Sequence, residues 1–186
     1  MTTSKPLRAD ARRNRDALLA KARELFADGR FDLRFDDFAR LAGVGTGTLY
    51  RHFPNRAALA EAVYREELAT LCDRGRTLRA TLPAAEALAA FLRGFVSHLG
   101  SHQGLARTLA TLMTAQPDTL ADGGRELEQV IGELLAAGVE DGTVRDDVGP
   151  GAVLMVLQGI CTACGHPGSR ADADRAVTLV LDGLRR

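Results

Sequence analysis

An all-α fold is predicted for this 186-residue chain. Apolar residues recur at helical spacing over nearly its whole length. Glycine or proline opens or closes most of these runs. No stretch alternates apolar and polar residues for long enough to make a strand.

The first run, ADARRNRDALLAKARELFADG, groups Ala17, Leu18, Ala22, Leu25 and Phe26 on one side and stops at Gly29. Asp36–Ala42 is a short helix closed by Gly43, and Thr46–His52 is another. Asn55 caps a fourth helix from Arg56 to Arg79, with Leu59, Val63, Leu68 and Leu71 along one side. Pro83 opens a fifth, reaching about Ser101. Gln103–Ala115 is a sixth, ended before Pro117. Residues 122–140 form a seventh that stops at Glu-Asp-Gly. Pro150 opens an eighth, ending near Gly165, and Asp172–Leu184 is the ninth. The two expected domains, residues 1–56 and 57–186, meet at this fourth helix rather than at a linker.

Hydrophobic residues make up 46% of the chain, enough for a substantial core. No run is long enough to cross a bilayer, and the first residues lack the apolar segment of a secretory signal, so a cytoplasmic protein without membrane contact is expected. Three cysteines, an odd number, fit a reducing compartment. Net charge is zero but unevenly placed. Residues 1–56 carry 12 Lys and Arg against 7 Asp and Glu, and the remainder carries 12 against 17. A basic first third on an acidic body suggests a small polyanion-binding module, although a solvated basic helix has the same charge.

The stretch GVGTGTLYRHF, residues 43–53, decides between two readings. A dinucleotide loop needs glycine where Thr48 stands, and a P-loop needs a lysine that is absent; both need a preceding strand. A helix-turn-helix fits instead. Ala39 is small where the second helix crosses the first, and Gly43 supplies a turn residue that tolerates positive φ. Phe38, Leu41 or Ala42, Val44 and Leu49 hold the angle, and Thr46 is placed as N-cap of the second helix. Thr48, Tyr50, Arg51 and His52 are then left to face a major groove.

FDDFARLAGVGTGTLYRHFPNRAALAEAV resembles the DNA-binding signature of the TetR family of transcriptional regulators. Phe38-Ala39, Ala42-Gly43-Val44-Gly45, Gly47-Thr48-Leu49-Tyr50, His52-Phe53 and Arg56 match the pattern, and the likeness covers about residues 15–65. A looser likeness, in GLARTLATLM and VRDDVGPGAVLMVLQG, points to members with an SbtR-like C-terminal domain. The resemblance implies a three-helix DNA-binding domain followed by a helical ligand-binding and dimerisation domain, and a repressor of transcription. It implies that Thr48 touches base edges or phosphate, that Gly47 lets the backbone approach DNA, and that Tyr50 and His52 contact phosphates. Arg56 would bind phosphate where the family often has lysine, and Arg51, at a variable position, would read bases, since a guanidinium pairs bidentately with guanine. Arg34 departs from the family's Thr or Ser cap: the cap is lost or comes from Asp36, and Arg34 is left to reach phosphate. Arg12, Arg13 and Arg15 would extend along the DNA backbone or its minor groove, or simply be solvated.

A lone helix-turn-helix reads too few base pairs, so a homodimer on a palindromic double-stranded operator is expected. VLMVLQGICTACG and AVTLVLDGL are the candidate dimer helices, through Leu157, Ile160, Cys161, Cys164, Val177, Val180 and Leu181; packing within one chain is the alternative. Helices four to seven carry more apolar residues than a thin bundle needs, so Leu71, Phe91, Phe95, His98, Leu112, Met113 and Leu134 are candidate lining for a small apolar or amphipathic ligand. A regulator without ligand is the other possibility. Cys161-x-x-Cys164 with His166 admits a redox or zinc sensor, against the plainer reading of small residues in a tight helix interface. No nucleophile elbow or His-Glu-x-x-His occurs, and the acid pairs Asp36-Asp37, Glu66-Glu67 and Asp146-Asp147 read as solvated. No enzymatic activity, cofactor or metal is expected.

Overall fold

A computed structural model describes residues 4–30, 33–101, 117–163 and 170–186. Eight helices lie among them: α1 (Ser4–Ala27), α2 (Phe35–Leu41), α3 (Thr46–His52), α4 (Arg56–Thr81), α5 (Ala84–Ser101), α6 (Pro117–Glu140), α7 (Pro150–Ala163) and α8 (Arg170–Leu184). The helix expected at 103–115 lies outside the described residues. No strand forms among those described; one isolated antiparallel bridge joins Val144 to Arg185.

The helix ends follow local chemistry. Gly29 has φ 70° beyond α1, and the amide of Arg30 returns to the Leu25 carbonyl at 2.8 Å. The Asn55 side chain accepts from the Ala58 amide at 2.9 Å, as expected of an N-cap. The Pro83 carbonyl accepts from Ala87 at the start of α5. α6 begins at Pro117, earlier than the expected residue 122. Proline suits a first helical position because it has no amide to leave unpaired. Gly142, with φ 77°, ends that helix, and the amides of Thr143 and Val144 both return to the Gly138 carbonyl.

The chain divides into two compact units, with one boundary between Glu66 and Glu67, inside α4. In the first, α1 packs on both α2 and α3, and α2 on α3. Its core is Leu18, Leu19, Ala22, Leu25 and Phe26 with Phe38, Ala39, Leu49, Phe53, Leu59 and Val63, all buried. Glu66 was expected to be solvated; instead its carboxylate accepts from Arg23 at 3.2 Å and Arg15 at 3.4 Å, both on α1. One acid of α4 thus serves two arginines of α1, with all three side chains partly exposed.

In the second unit α5 packs on α7 and α8, which also pack on each other. Leu71, Leu88, Phe91, Phe95, Val130, Leu134, Leu157 and Val177 are buried there. Gly75 of α4 allows close helix packing: a Cβ on it would run into Val130 and come within 2.9 Å of the Phe91 ring. Glu67, expected in solvent, is only 8% exposed, and its Oε2 lies 2.6 Å from Nε2 of His98. No described helix is long and apolar enough to cross a membrane.

Candidate nucleic-acid interface

The site is built on seven-residue helices that cannot persist alone. Burial holds them. Phe38 and Ala39 of α2 and Leu49 of α3 are at most 1% exposed, and the Phe26 and Phe38 rings meet at 5.5 Å. Between the helices Gly43 adopts φ 69°, the left-handed conformation expected of it. The Val44 amide then reaches back to Ala39 at 2.9 Å and closes the turn.

The capping expectation for Thr46 is corrected. Gly45 is the N-cap of α3, in extended conformation with no side-chain cap, and its carbonyl accepts from the amides of Thr48 and Leu49. Thr46 is already helical, so its hydroxyl lies past the place from which a cap reaches the first turn. Arg34 is the N-cap of α2 and makes no side-chain cap bond, so the cap is lost, and Asp36 sits inside the first turn.

With Leu49 inward, α3 turns Thr46, Gly47, Tyr50 and Arg51 outward, with Thr48 and His52 half-buried. Gly47 is open on its free side: an added Cβ would meet nothing within 4 Å. Nothing in its own chain therefore requires glycine there, although glycine weakens a helix. Tyr50 is 50% exposed, and its ring stands edge-on to Phe35 at 5.4 Å. A hydrogen bond to the Asp36 carboxylate raises the phenol pKa above its ordinary 10, with desolvation adding to the effect.

The basic residues divide by commitment. Arg13 pairs with Asp10, Arg15 with Glu66, and Arg40 with Asp37. Arg15 also lies over the Phe53 ring at 5.7 Å. Arg56 donates to the Leu33 carbonyl and sits 5.8 Å from the Phe38 ring centre. Among the described residues, Arg12, Arg34 and Arg51 are exposed and carry no ion pair. Three roles were hidden in the sequence: Asp36 as partner of Tyr50, Phe35 as its ring support, and the Leu33 carbonyl as acceptor for Arg56. Only the Phe35–Tyr50 aromatic pair left a sequence signal; a backbone carbonyl leaves none.

Leu71, Phe91, Phe95 and Leu134 are buried in the second unit, and His98 is engaged by Glu67. Leu112 and Met113 lie outside the described residues. A groove of about 250 Å³ lies elsewhere in that unit, between Leu88 and Arg93 of α5, Val144, and Leu181 and Leu184 of α8. The residues expected at a dimer interface differ in burial within the single chain. Leu157 and Val177 point inward and are fully buried in their own unit, while Ile160, Cys161, Val180 and Leu181 are half-buried. Cys164 lies outside the described residues. The exposed large apolar side chains of α7 and α8 are Met155, Val156 and Leu179, with Met155 and Leu179 each 73% exposed.

Residues 18–63 match the family model described as bacterial regulatory proteins of the tetR family, and residues 83–186 match the SbtR-like transcriptional regulator C-terminal domain. The chain is 31% identical to the HTH-type transcriptional repressor KstR2 of Mycolicibacterium smegmatis, over 91% of this chain and 90% of that protein. Among solved structures, the TetR transcriptional regulator SCO0520 from Streptomyces coelicolor is 40% identical with a TM-score of 0.76, covering 92% of this chain and 98% of its own. A TetR transcription regulatory protein from Mycobacterium vanbaalenii is 37% identical with a TM-score of 0.70, covering 97% and 100%.

Proposed function

The chain belongs to the TetR family of DNA-binding transcriptional regulators, and from that premise we propose that it is a homodimeric repressor that a small ligand releases from a palindromic operator. The carrying observation is α3, which buries Leu49 and presents Tyr50, Arg51 and the open face of Gly47. In this reading residues 1–56 bind DNA and residues 57–186 bind the effector and the second subunit, in the cytoplasm. Arg51 reads base edges. Tyr50, Thr48 and His52 contact backbone phosphate, with Thr46 at the helix entrance and Arg34 reaching a flanking phosphate.

The exposed Met155, Val156 and Leu179 support pairing through α7 and α8, with half-buried Ile160, Cys161, Val180 and Leu181 beside them. Large apolar side chains on neighbouring helices are costly to leave in water. The similarity to KstR2 of Mycolicibacterium smegmatis, a repressor, supports the sign of regulation. Release by a small molecule is typical of the family; a coupling of about 1–3 kcal/mol between ligand and operator is ordinary for such a switch. The ligand is apolar or amphipathic, because Leu71, Phe91, Phe95 and Leu134 dominate this part of the second unit and Glu67 with His98 supplies its polar point.

The test is selection of bound duplexes from a random library by the purified protein and by Tyr50→Ala. An inverted repeat is expected with half-sites about one helical turn apart, lost in the variant. No enriched sequence from the wild-type protein would overturn the reading.

A further inference from the structure

Arg56 stands where the family resemblance places a phosphate contact, yet its side chain faces its own protein. One guanidinium nitrogen donates to the carbonyl of Leu33, and the guanidinium carbon lies 5.8 Å from the centre of the Phe38 ring. Phe38 is fully buried, and Arg56 itself is half-buried. Both partners flank the same point, the start of α2. That helix end lacks a side-chain cap: its N-cap, Arg34, makes no cap bond, and its other ties run to Tyr50 of α3 through Asp36 and Phe35. The start of α4 has its own cap in Asn55, so Arg56 is not needed there.

We propose that Arg56 is a positioning residue that ties the first turn of α4 to the start of α2, and so sets the presentation of the helix-turn-helix, rather than a DNA phosphate ligand. The role depends on arginine. Its planar fork donates in one direction while its cationic carbon lies over an aromatic ring, whereas a lysine ammonium is a compact charge that does not do both. Arginine at a position the family often fills with lysine is therefore not a conservative exchange. The tie also lies on the route by which a shift of α4 would reach α2, since α4 begins at the residue that holds Leu33.

The inference rests on the DNA-binding reading, and two substitutions separate the two. The full-length protein, Arg56→Lys and Arg56→Gln are titrated on the selected duplex across a series of salt concentrations, and each is melted alone. A tie predicts that Lys and Gln behave alike. Both bind about 3- to 30-fold more weakly at every salt, because a charge-assisted hydrogen bond is lost. Both melt about 3–6 °C lower, the shift expected in a chain of this size. The slope of log affinity against log salt stays that of the wild type. A phosphate contact predicts the opposite: Arg56→Lys matches the wild type, melting is unchanged, and the Arg56→Gln slope is shallower by about 0.9. That result would overturn the proposal, as would two variants indistinguishable from wild type. Should Arg56→Gln fail to fold, Arg56→Lys decides on the same readings. A wild-type protein that bound no duplex would sink the DNA-binding reading; a lower melting point for Arg56→Lys would still support the tie, and an unchanged one would overturn it.

Discussion

Glu66 Oε2 of α4 lies 3.2 Å from the Arg23 guanidinium of α1, and the other oxygen of the same carboxylate accepts from Arg15 at 3.4 Å. One acid thus holds two cations that would otherwise repel each other on the same helix. All three side chains are partly exposed, so solvent screens the pairs and each is worth little alone. Glu66→Gln is expected to lower stability by about 1 kcal/mol, with a smaller loss at high salt. Denaturant unfolding at low and high ionic strength checks it; an equal loss at both would mean that charge is not the cause.

Gly47→Ala separates folding from function. An added methyl meets nothing in the protein, and alanine is the better helix former, so stability should rise by about 0.5 kcal/mol. Against DNA the same methyl overpacks an interface, which costs about 1–3 kcal/mol, or about 5- to 100-fold in affinity. Melting and duplex binding on one preparation read both signs. A variant more stable and equally tight on DNA would remove Gly47 from the interface.

Met155→Glu and Leu179→Glu place charge on side chains that are 73% exposed in the single chain. Each subunit should keep its helical content by circular dichroism, because neither side chain fills its own core. Light scattering is expected to report monomer for either variant at concentrations where the wild type is a dimer. Operator affinity should then fall by at least about tenfold, since a desolvated interfacial charge without a partner costs several kcal/mol. A dimeric Leu179→Glu would move the interface away from α8.

Cys72 is fully buried, and burial, with Glu126 nearby, pushes its thiol up to about 11. The folded state therefore holds that proton more tightly than the unfolded state. The stabilisation this provides is intact below the ordinary thiol value of 9 and is lost as pH climbs through about 11. At pH 8 a thiol reagent should leave Cys72 unmodified in the native protein and label it once unfolded, with the site located by mass spectrometry. Rapid native labelling at Cys72 would contradict its burial.

Where the sequence was transparent, the cause is local. Gly29 and Gly43 end their helices because their positive φ values suit glycine, and Asn55 caps α4 because its side chain is the right length to reach the first turn. The alternation of buried and exposed positions in α3 follows from helical period, so the inward Leu49 and the outward Tyr50 and Arg51 were both readable. What failed to show depends on distant partners. Glu66 and Glu67 look alike in sequence, yet helical geometry turns one toward α1 and the other toward His98. Thr46 looked like a cap because its chemistry suits one, but α3 starts one residue sooner than that role allows. Leu157 and Val177 share apolar helices with Met155 and Leu179, and composition alone did not say which side of each helix its own chain would cover.

The two seven-residue helices, neither with a side-chain N-cap bond, set a limit on transplantation. A peptide of residues 35–53 has neither the length nor the end contacts to hold its shape in water. Its form is imposed by Phe26 and its neighbours on α1, by Arg56 at the start of α4, and by the Glu66 pairing that keeps α1 against that helix. An engineer wishing to move this recognition surface to another scaffold must carry the passage from α1 to Glu66 as one cartridge. Exchange of outward residues on α3 within that cartridge leaves its supports in place, and that is where altered sequence preference should be sought.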